Sequence, residues 1–272
     1  MGREGHGPST LLRLVAGLET PDAGVVQVDG QSLEVCRPEE RGMAYVVLPG
    51  QVDQLVAFGA APETVPPIVL IDTDGVGADE GRPITDEERR ALAAACELPA
   101  TVIFSTDDQA LALAVSDRIA VLHEGRLAQV GEPDELLRRP RNTFVATLLG
   151  APPMNVVRAI LEKDGCAIQV GPRSLPLPGE ITETYCRDVF MGVRPEHLRL
   201  RRDGSRGWPG LVIGSRTHAG RTYVDVEVDG GRLVVLDDPG PPPVPGDRVG
   251  LTLSAADLVV FDDRGDRLEI RD

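Results

Sequence analysis

The segment IVLID at positions 68–72 carries four apolar residues in a row before it ends in an aspartate, and this run constrains the fold more than any other stretch. A strand with one wet face alternates apolar and polar residues, whereas an unbroken apolar run is a strand covered on both faces. Two similar runs accompany it, GMAYVVL at 42–48 and TVIFST at 101–106, and the amphipathic stretch TDEERRALAAACEL at 85–98 stands between the second strand and the third. Apolar strands joined through an amphipathic helix specify an α/β layer with a mostly parallel sheet. Thr85 and Glu88 form a T-x-x-E capping box that starts this helix. Upstream, LLRLVAG (11–17) reads as helix and VVQVDG (25–30) as strand.

Further along, IAVLHEGRLAQVG (119–131) reads as two strands around a Glu124-Gly125 turn, followed by two short helices in PDELLRRP and NTFVATLLG. Gly150-Ala151-Pro152-Pro153 then has the composition of a linker. Beyond Met154 the character changes to short alternating strands, NVVRAILE, CAIQVG, DVFMGVRP, GLVIGSR, TYVDVEV, RLVVLD, RVGLTLS and LVVFD, with polar turns and no convincing helix. That pattern predicts a small β-barrel or a pair of them. Two domains are therefore expected, an α/β domain over 1–150 and a β-barrel domain over 154–272. The stretch PGPPPVPGD (239–247) is expected to be a stiff loop between strands rather than a polyproline ligand.

A net charge of -15 over 272 residues, with a pI near 4.7, opposes a nucleic-acid or anionic-membrane surface, since phosphate backbones select clustered cations. Neutral ligands and other proteins are the expected partners. Lys163 is the single lysine among 28 basic residues. Cys36, Cys96, Cys166 and Cys186 lie far apart with no CxxC pair and no histidine at ligand spacing, the pattern of reduced thiols in a cytosolic protein. No apolar run reaches membrane-spanning length and the N-terminus lacks the parts of a signal peptide, so a cytoplasmic chain without direct membrane insertion is expected.

The N-terminal stretch GREGHGPSTLLRLVAG has the outline of a phosphate-binding loop running into a helix. Such a loop, G-x-x-x-x-G-K-S/T, turns backbone N–H groups toward the phosphates, sends a lysine to the terminal phosphates and gives a hydroxyl to Mg²⁺. Gly2, Gly5, Gly7, Ser9 and Thr10 fit that outline, with Pro8 at the lysine position. A glycine-rich loop before a helix is a weak signal alone. The order of segments makes it specific: STLLRLVAGLETPDAGVVQVDG, RGMAYVV, IVLID and DRIAVLHEGRLAQVGEPDELLRRPRNTFVATLLGAPPMN resemble the ATPase subunits of maltose-type and related ABC importers. GVRPEHLRL (192–200) and GDRVGLTLSAADLVVFD resemble the C-terminal, OB-like TOBE domain of that group, so nearly the whole chain is covered.

The resemblance implies an ABC-type P-loop domain followed by an all-β TOBE barrel, and it assigns duties residue by residue. The lysine falls on Pro8, which offers neither an ammonium nor a backbone N–H. The glutamine that senses nucleotide and magnesium falls on Leu48. Between Leu48 and Asp72 the family carries a helical subdomain with the LSGGQ signature, and no such sequence occurs here, so the P-loop domain is expected to be trimmed. The carboxylate that holds Mg²⁺ is retained as Asp72, but the neighbouring glutamate that polarises water is Thr73, which cannot act as a base near neutral pH. The D-loop aspartate is retained as Asp79. The switch histidine falls on Asp107, whose charge would repel the terminal phosphate. The strand and stacking aromatic that precede the loop in this family are missing from the sequence.

Other motifs have bland readings. DTDGVGADE (72–80) has the D-x-D spacing of a calcium loop, with Gly77 at the sixth place, but Val76 and Pro83 take the places of two oxygen ligands. His6 and His197 belong to no traceable triad, and LRLRRDGSRG (198–207) reads as a solvated turn rather than an anion site. The expectation is thus a degenerate importer ATPase subunit that does not hydrolyse ATP and has a structural or regulatory role in sugar or polyamine transport. It would need no cofactor, with ATP and Mg²⁺ as ligands if nucleotide binding is retained. Its expected partners are a second copy through the TOBE-like domain, an intact ABC ATPase, or permease subunits at the inner face of the membrane. Two alternatives stay open: an ATP-hydrolysing subunit whose site a partner completes, and a module binding a small ligand or oxyanion through its barrel.

Overall fold

The structure is a computed structural model that describes residues 7–48, 50–73, 84–182, 184, 186–202, 207–218, 220–237 and 242–271. The chain forms two units, 1–133 and 134–272.

In the first unit, α1 (Pro8–Ala16) begins behind Gly7, whose φ of 84° is open to glycine, and ends at Gly17 with φ 81°. Proline at its first position forfeits no helical hydrogen bond. The Arg41 guanidinium closes its far end, donating to the carbonyls of Leu14 and Val15 and also to that of Leu33. A two-residue hairpin follows, β1 (Gln27–Val28) and β2 (Gln31–Ser32). The strand expected over 25–30 shortens to two residues because Asp29 and Gly30, at φ 50° and 78°, make the turn.

The sheet expected from the apolar runs is present. β3 (Met43–Val47), β4 (Ile68–Asp72) and β5 (Thr101–Phe104) run parallel in the order β3-β4-β5, with Tyr45 beside Leu70, Val47 beside Asp72 and Ile71 beside Phe104. Both faces of β4 are covered, as its unbroken apolar run requires. α1 packs Leu12 and Ala16 against Leu70 on one face. On the other, α2 (Val52–Ala60) and α3 (Asp86–Ala95) bring Leu55, Ala91 and Leu92 against Val69 and Ile71. The capping box of α3 forms as predicted: Thr85 Oγ1 accepts from the Glu88 amide at 3.3 Å, and the Glu88 carboxylate accepts from the Thr85 amide at 2.7 Å. After β5, α4 (Gln109–Val115) is capped by Asp108, and β6 (Ile119–His123) pairs antiparallel with β7 (Arg126–Gly131) around Glu124 and Gly125. Among the described residues β5 pairs only with β4, leaving Ile103 44% exposed. A cleft of about 640 Å³ lies beside it, lined by Leu11 and Leu12 of α1, Val102 and Phe104 of β5, and Ile119 of β6.

The division of the chain falls after Pro133, upstream of the proline-rich stretch 150–153. α5 (Pro133–Arg138) straddles it. α6 (Thr143–Leu148), capped by Asn142, belongs with the second unit because Ala146 packs on Met154, Val259 and Phe261. The rest of that unit is antiparallel β. One five-stranded sheet holds β8 (Asn155–Leu161), β9 (Ala167–Val170), β10 (Arg173–Pro176), β11 (Asp188–Val193) and β17 (Val259–Phe261), in the order β10-β9-β8-β11-β17. The other holds β12 (Arg199–Arg201), β13 (Trp208–His218), β14 (Arg221–Val228), β15 (Gly231–Asp237) and β16 (Arg248–Thr252), in the order β12-β16-β13-β14-β15. Their inward residues, among them Ile168, Met191, Trp208, Val224 and Leu233, share one core. Helical structure among the described residues after Met154 is confined to 3-10 turns at Pro195–His197 and Ala255–Asp257.

Arg194, just after β11, is 4% exposed and has no carboxylate on its guanidinium. It donates instead to the carbonyls of Leu149 at 2.6 Å, Leu137 at 2.9 Å and Ala146 at 3.4 Å, at the C-terminal ends of α5 and α6. Helix ends leave such carbonyls without intrahelical partners and carry partial negative charge, which suits a buried cation. Gly150 gives it room, since a Cβ there would sit 2.5 Å from Arg194 Nη1. No helix among the described residues is long and apolar enough to cross a membrane.

Candidate functional site

The site forms where three parallel elements end on the same side. A parallel ladder brings the C-terminal ends of β3, β4 and β5 together, and the first turn of α1 sits over them. In open α/β sheets this end is where ligands bind. Asp72 closes β4 here and is 0% exposed. Its Oδ1 accepts from Ser9 Oγ of α1 at 2.7 Å and from Ser105 Oγ, just past β5, at 3.0 Å. Its Oδ2 accepts from the Tyr45 hydroxyl of β3 at 2.7 Å. One carboxylate thus ties together α1, β3 and the end of β5. Burial first, then the hydrogen bond to Asp72, pushes the Tyr45 phenol well above its ordinary range, so it remains a donor at neutral pH.

The other sequence-predicted positions are used by the fold. Thr73 Oγ1 donates to the Ser105 carbonyl at 2.9 Å, and the Thr73 amide donates to Ser105 Oγ at 3.2 Å. Leu48 is buried in the core beside Leu55, and its amide donates to the Asp72 carbonyl at 2.8 Å. Pro8 has no N–H, and the first helical bond of α1 is made by the Leu11 amide to the Gly7 carbonyl at 3.0 Å. Thr10 is exposed, its hydroxyl accepting weakly from Arg13 at 3.4 Å. Arg13 itself is paired with Glu19 at 2.6 Å, and that partner raises its pKa. Asp107 is exposed, whereas its neighbour Asp108 caps α4 and pairs with Arg89 at 2.5 Å. Gly2, Gly5, His6 and Asp79 lie outside the described residues, as does most of the calcium-loop-like stretch.

The structure therefore brings Ser9, Asp72 and Thr73 into one network and adds Tyr45 and Ser105, which sequence reasoning did not single out. A hydroxyl inside the apolar run GMAYVVL was the available signal for Tyr45. No lysine ammonium or amide comes from position 8, and Asp72 is buried with hydroxyl donors on both oxygens. Elsewhere, His197 Nδ1 lies 3.6 Å from Asp257 on a partly exposed surface and Arg202 pairs with Asp237, while residues 203–206 of the arginine-rich turn lie outside the described residues. Among the described residues no group of three or more acidic, cysteine or histidine side chains is placed to hold a metal.

Comparison with known proteins gives consistent results. Residues 191–261 match the TOBE domain family, and residues 150–198 match the MalK OB fold domain. The sulfoquinovosyl glycerol transport ATP-binding protein of Agrobacterium fabrum is 31% identical over 257 residues, covering 73% of this chain and 70% of that protein. The spermidine/putrescine import ATP-binding protein of Pseudomonas fluorescens is 30% identical over 299 residues, covering 86% and 79%. The sn-glycerol-3-phosphate import ATP-binding protein of Chromobacterium violaceum is 27% identical over 318 residues, covering 96% and 85%. The all-β region after Met154 is thus of the OB and TOBE type that the resemblance of GVRPEHLRL and GDRVGLTLSAADLVVFD implies.

Proposed function

The chain belongs to the family of ABC-importer ATP-binding subunits, and from that premise we propose that it is a non-hydrolysing member with a structural or regulatory role in solute uptake. The observation that carries this reading is Thr73. Water attack on a phosphate needs a group that orients the nucleophile and takes its proton. At that position stands a neutral hydroxyl whose own proton is already given to the Ser105 carbonyl. Pro8 and Leu48 support the same reading, because each serves helix start or core and neither has a group to offer a phosphate or a metal. Catalytic constellations act as units, so the loss of several members together does not leave a proportionate remainder.

What such a subunit keeps is its surface. The OB-type region is the part we assign to the role, pairing with a second copy, an intact ATPase subunit or a permease at the cytoplasmic face, with sugars or polyamines as the solute class. The test is Mg·ATP turnover and labelled-ATP binding by the purified full chain. No turnover and at most weak binding are expected. Turnover that Asp72→Asn abolishes in a variant with unchanged circular dichroism would overturn the proposal, and micromolar ATP binding would overturn its non-binding part.

A further inference from the structure

We propose that the Tyr45 hydroxyl occupies the side of the Asp72 carboxylate that a divalent cation would need, making Tyr45 the positioning residue that keeps this site shut. A magnesium ion takes oxygen ligands at about 2.0–2.1 Å in near-octahedral geometry and keeps several waters. Asp72 is buried, and both of its oxygens already accept hydrogen bonds. Oδ1 is held by two hydroxyls, and one of them, Ser105 Oγ, is itself oriented by accepting from the Thr73 amide. Oδ2 faces the Tyr45 hydroxyl. That hydroxyl cannot simply swing aside, because its ring is seated in the apolar layer of Leu12, Ala16 and Leu70. Tyr45 lies opposite Leu70 in the parallel ladder, two residues back from Asp72 on the same face, and the length of the side chain carries its oxygen forward to the carboxylate. A neutral donor stands on the Oδ2 side of the carboxylate, and the nearby Arg13 guanidinium acts electrostatically on both Tyr45 and Asp72.

The inference deepens the non-hydrolysing reading and takes its meaning from it. Its test uses no nucleotide, so the two fail separately. Mn²⁺ serves as the probe, with binding followed by electron paramagnetic resonance of the full chain, and with thermal unfolding measured with and without the ion. The wild-type chain is expected to show no Mn²⁺ binding that Asp72→Asn removes. Tyr45→Phe keeps the ring, deletes the donor, and is expected to gain a Mn²⁺ site at least tenfold tighter than any in the wild type, together with a rise in Tm on adding the ion. Tyr45→Phe combined with Asp72→Asn should lose both gains. If Tyr45→Phe does not hold its fold, Tyr45→Met is read in the same way. A hydroxyl with a purely structural role would lower Tm in Tyr45→Phe without any gain of metal, and that result overturns the proposal. Mn²⁺ bound by the wild type through Asp72 overturns it equally.

Discussion

Replacing Arg194 with methionine keeps most of the aliphatic stem and removes the cation that joins the ends of α5 and α6. Three carbonyls lose a donor, but the contact to Ala146 at 3.4 Å is weak, so the effect rests on Leu149 at 2.6 Å and Leu137 at 2.9 Å. A buried acceptor stripped of its partner costs about 1–3 kcal/mol, which puts the loss from two at roughly 2–6 kcal/mol. Against this stands the relief of no longer burying a guanidinium without a carboxylate, a penalty of several kcal/mol that proteins recover only in part. Burial already pushes the Arg194 pKa below its ordinary value, which gives the sign of that offset. A net loss of about 2–3 kcal/mol is expected, and with a urea dependence of about 1–3 kcal/mol per molar the unfolding midpoint should fall by roughly 1 M. Trp208 is the single tryptophan of the chain and is 2% exposed in the core of the same unit, so its fluorescence follows this unit's unfolding. Arg194→Lys should fall between, because one ammonium cannot match a planar fork reaching two helix ends. Gly150→Ala should act like Arg194→Met, since its φ of 109° disfavours a side chain and the new Cβ would displace the guanidinium. A midpoint for Arg194→Met within about 0.3 M of wild type, or above it, would refute the reasoning, being too small a change for two lost donors.

Thr85→Ala should lower the stability of the first unit by about 0.5–2 kcal/mol, because it removes the helix cap, and Thr85→Ser should restore most of it. Equal melting of the alanine and serine variants by circular dichroism would contradict that account. The phenol of Tyr45 keeps its proton in the folded state above its ordinary value near 10, whereas the unfolded chain releases it there, so the stabilisation is present below pH 10 and fades as pH rises beyond it. Absorbance titration near 295 nm should therefore show one tyrosine that ionises only with unfolding, and Tyr45→Phe should remove that delayed step. A Tyr45→Phe titration that keeps the step would assign it elsewhere. Arg41→Ala should loosen the hairpin of β1 and β2 by releasing the Leu33 carbonyl and the end of α1, seen as faster hydrogen exchange at the Leu33 amide. Unchanged exchange there would show that the hairpin holds itself.

The parallel sheet was legible because burial on both faces leaves an unbroken apolar run, and IVLID follows that rule from Val69 to Ile71. α3 was legible because its cap is local, three residues from end to end. α2 was not, since VDQLVAFGA starts at Val52 behind Gln51, which gives no side-chain cap, and carries a glycine that argues against helix. α4 has a good cap in Asp108, yet its seven residues are too few for a clear period. At the site, Ser9 and Asp72 were readable from the loop and strand motifs. Tyr45 and Ser105 stand 27 and 33 residues from Asp72 in sequence, and only the register of the ladder brings them to it. Arg194 was visible in its RPEH setting, but its partners are main-chain carbonyls, which leave no trace in side-chain chemistry.

The open side of β5 sets how this protein behaves in a test tube. β5 pairs with β4 on one side and with no strand among the described residues on the other, and that edge, with Ile103 exposed and no lysine or proline on the strand to blunt it, forms a template onto which another chain can add. The net charge of -15 works against such contacts by mutual repulsion. That repulsion fades beyond a Debye length of about 8 Å at physiological ionic strength and about 3 Å in molar salt. Its colloidal stability is therefore electrostatic, and the protein should be most tractable in dilute buffer well above its isoelectric point and should cloud first where salt is high or the pH is low.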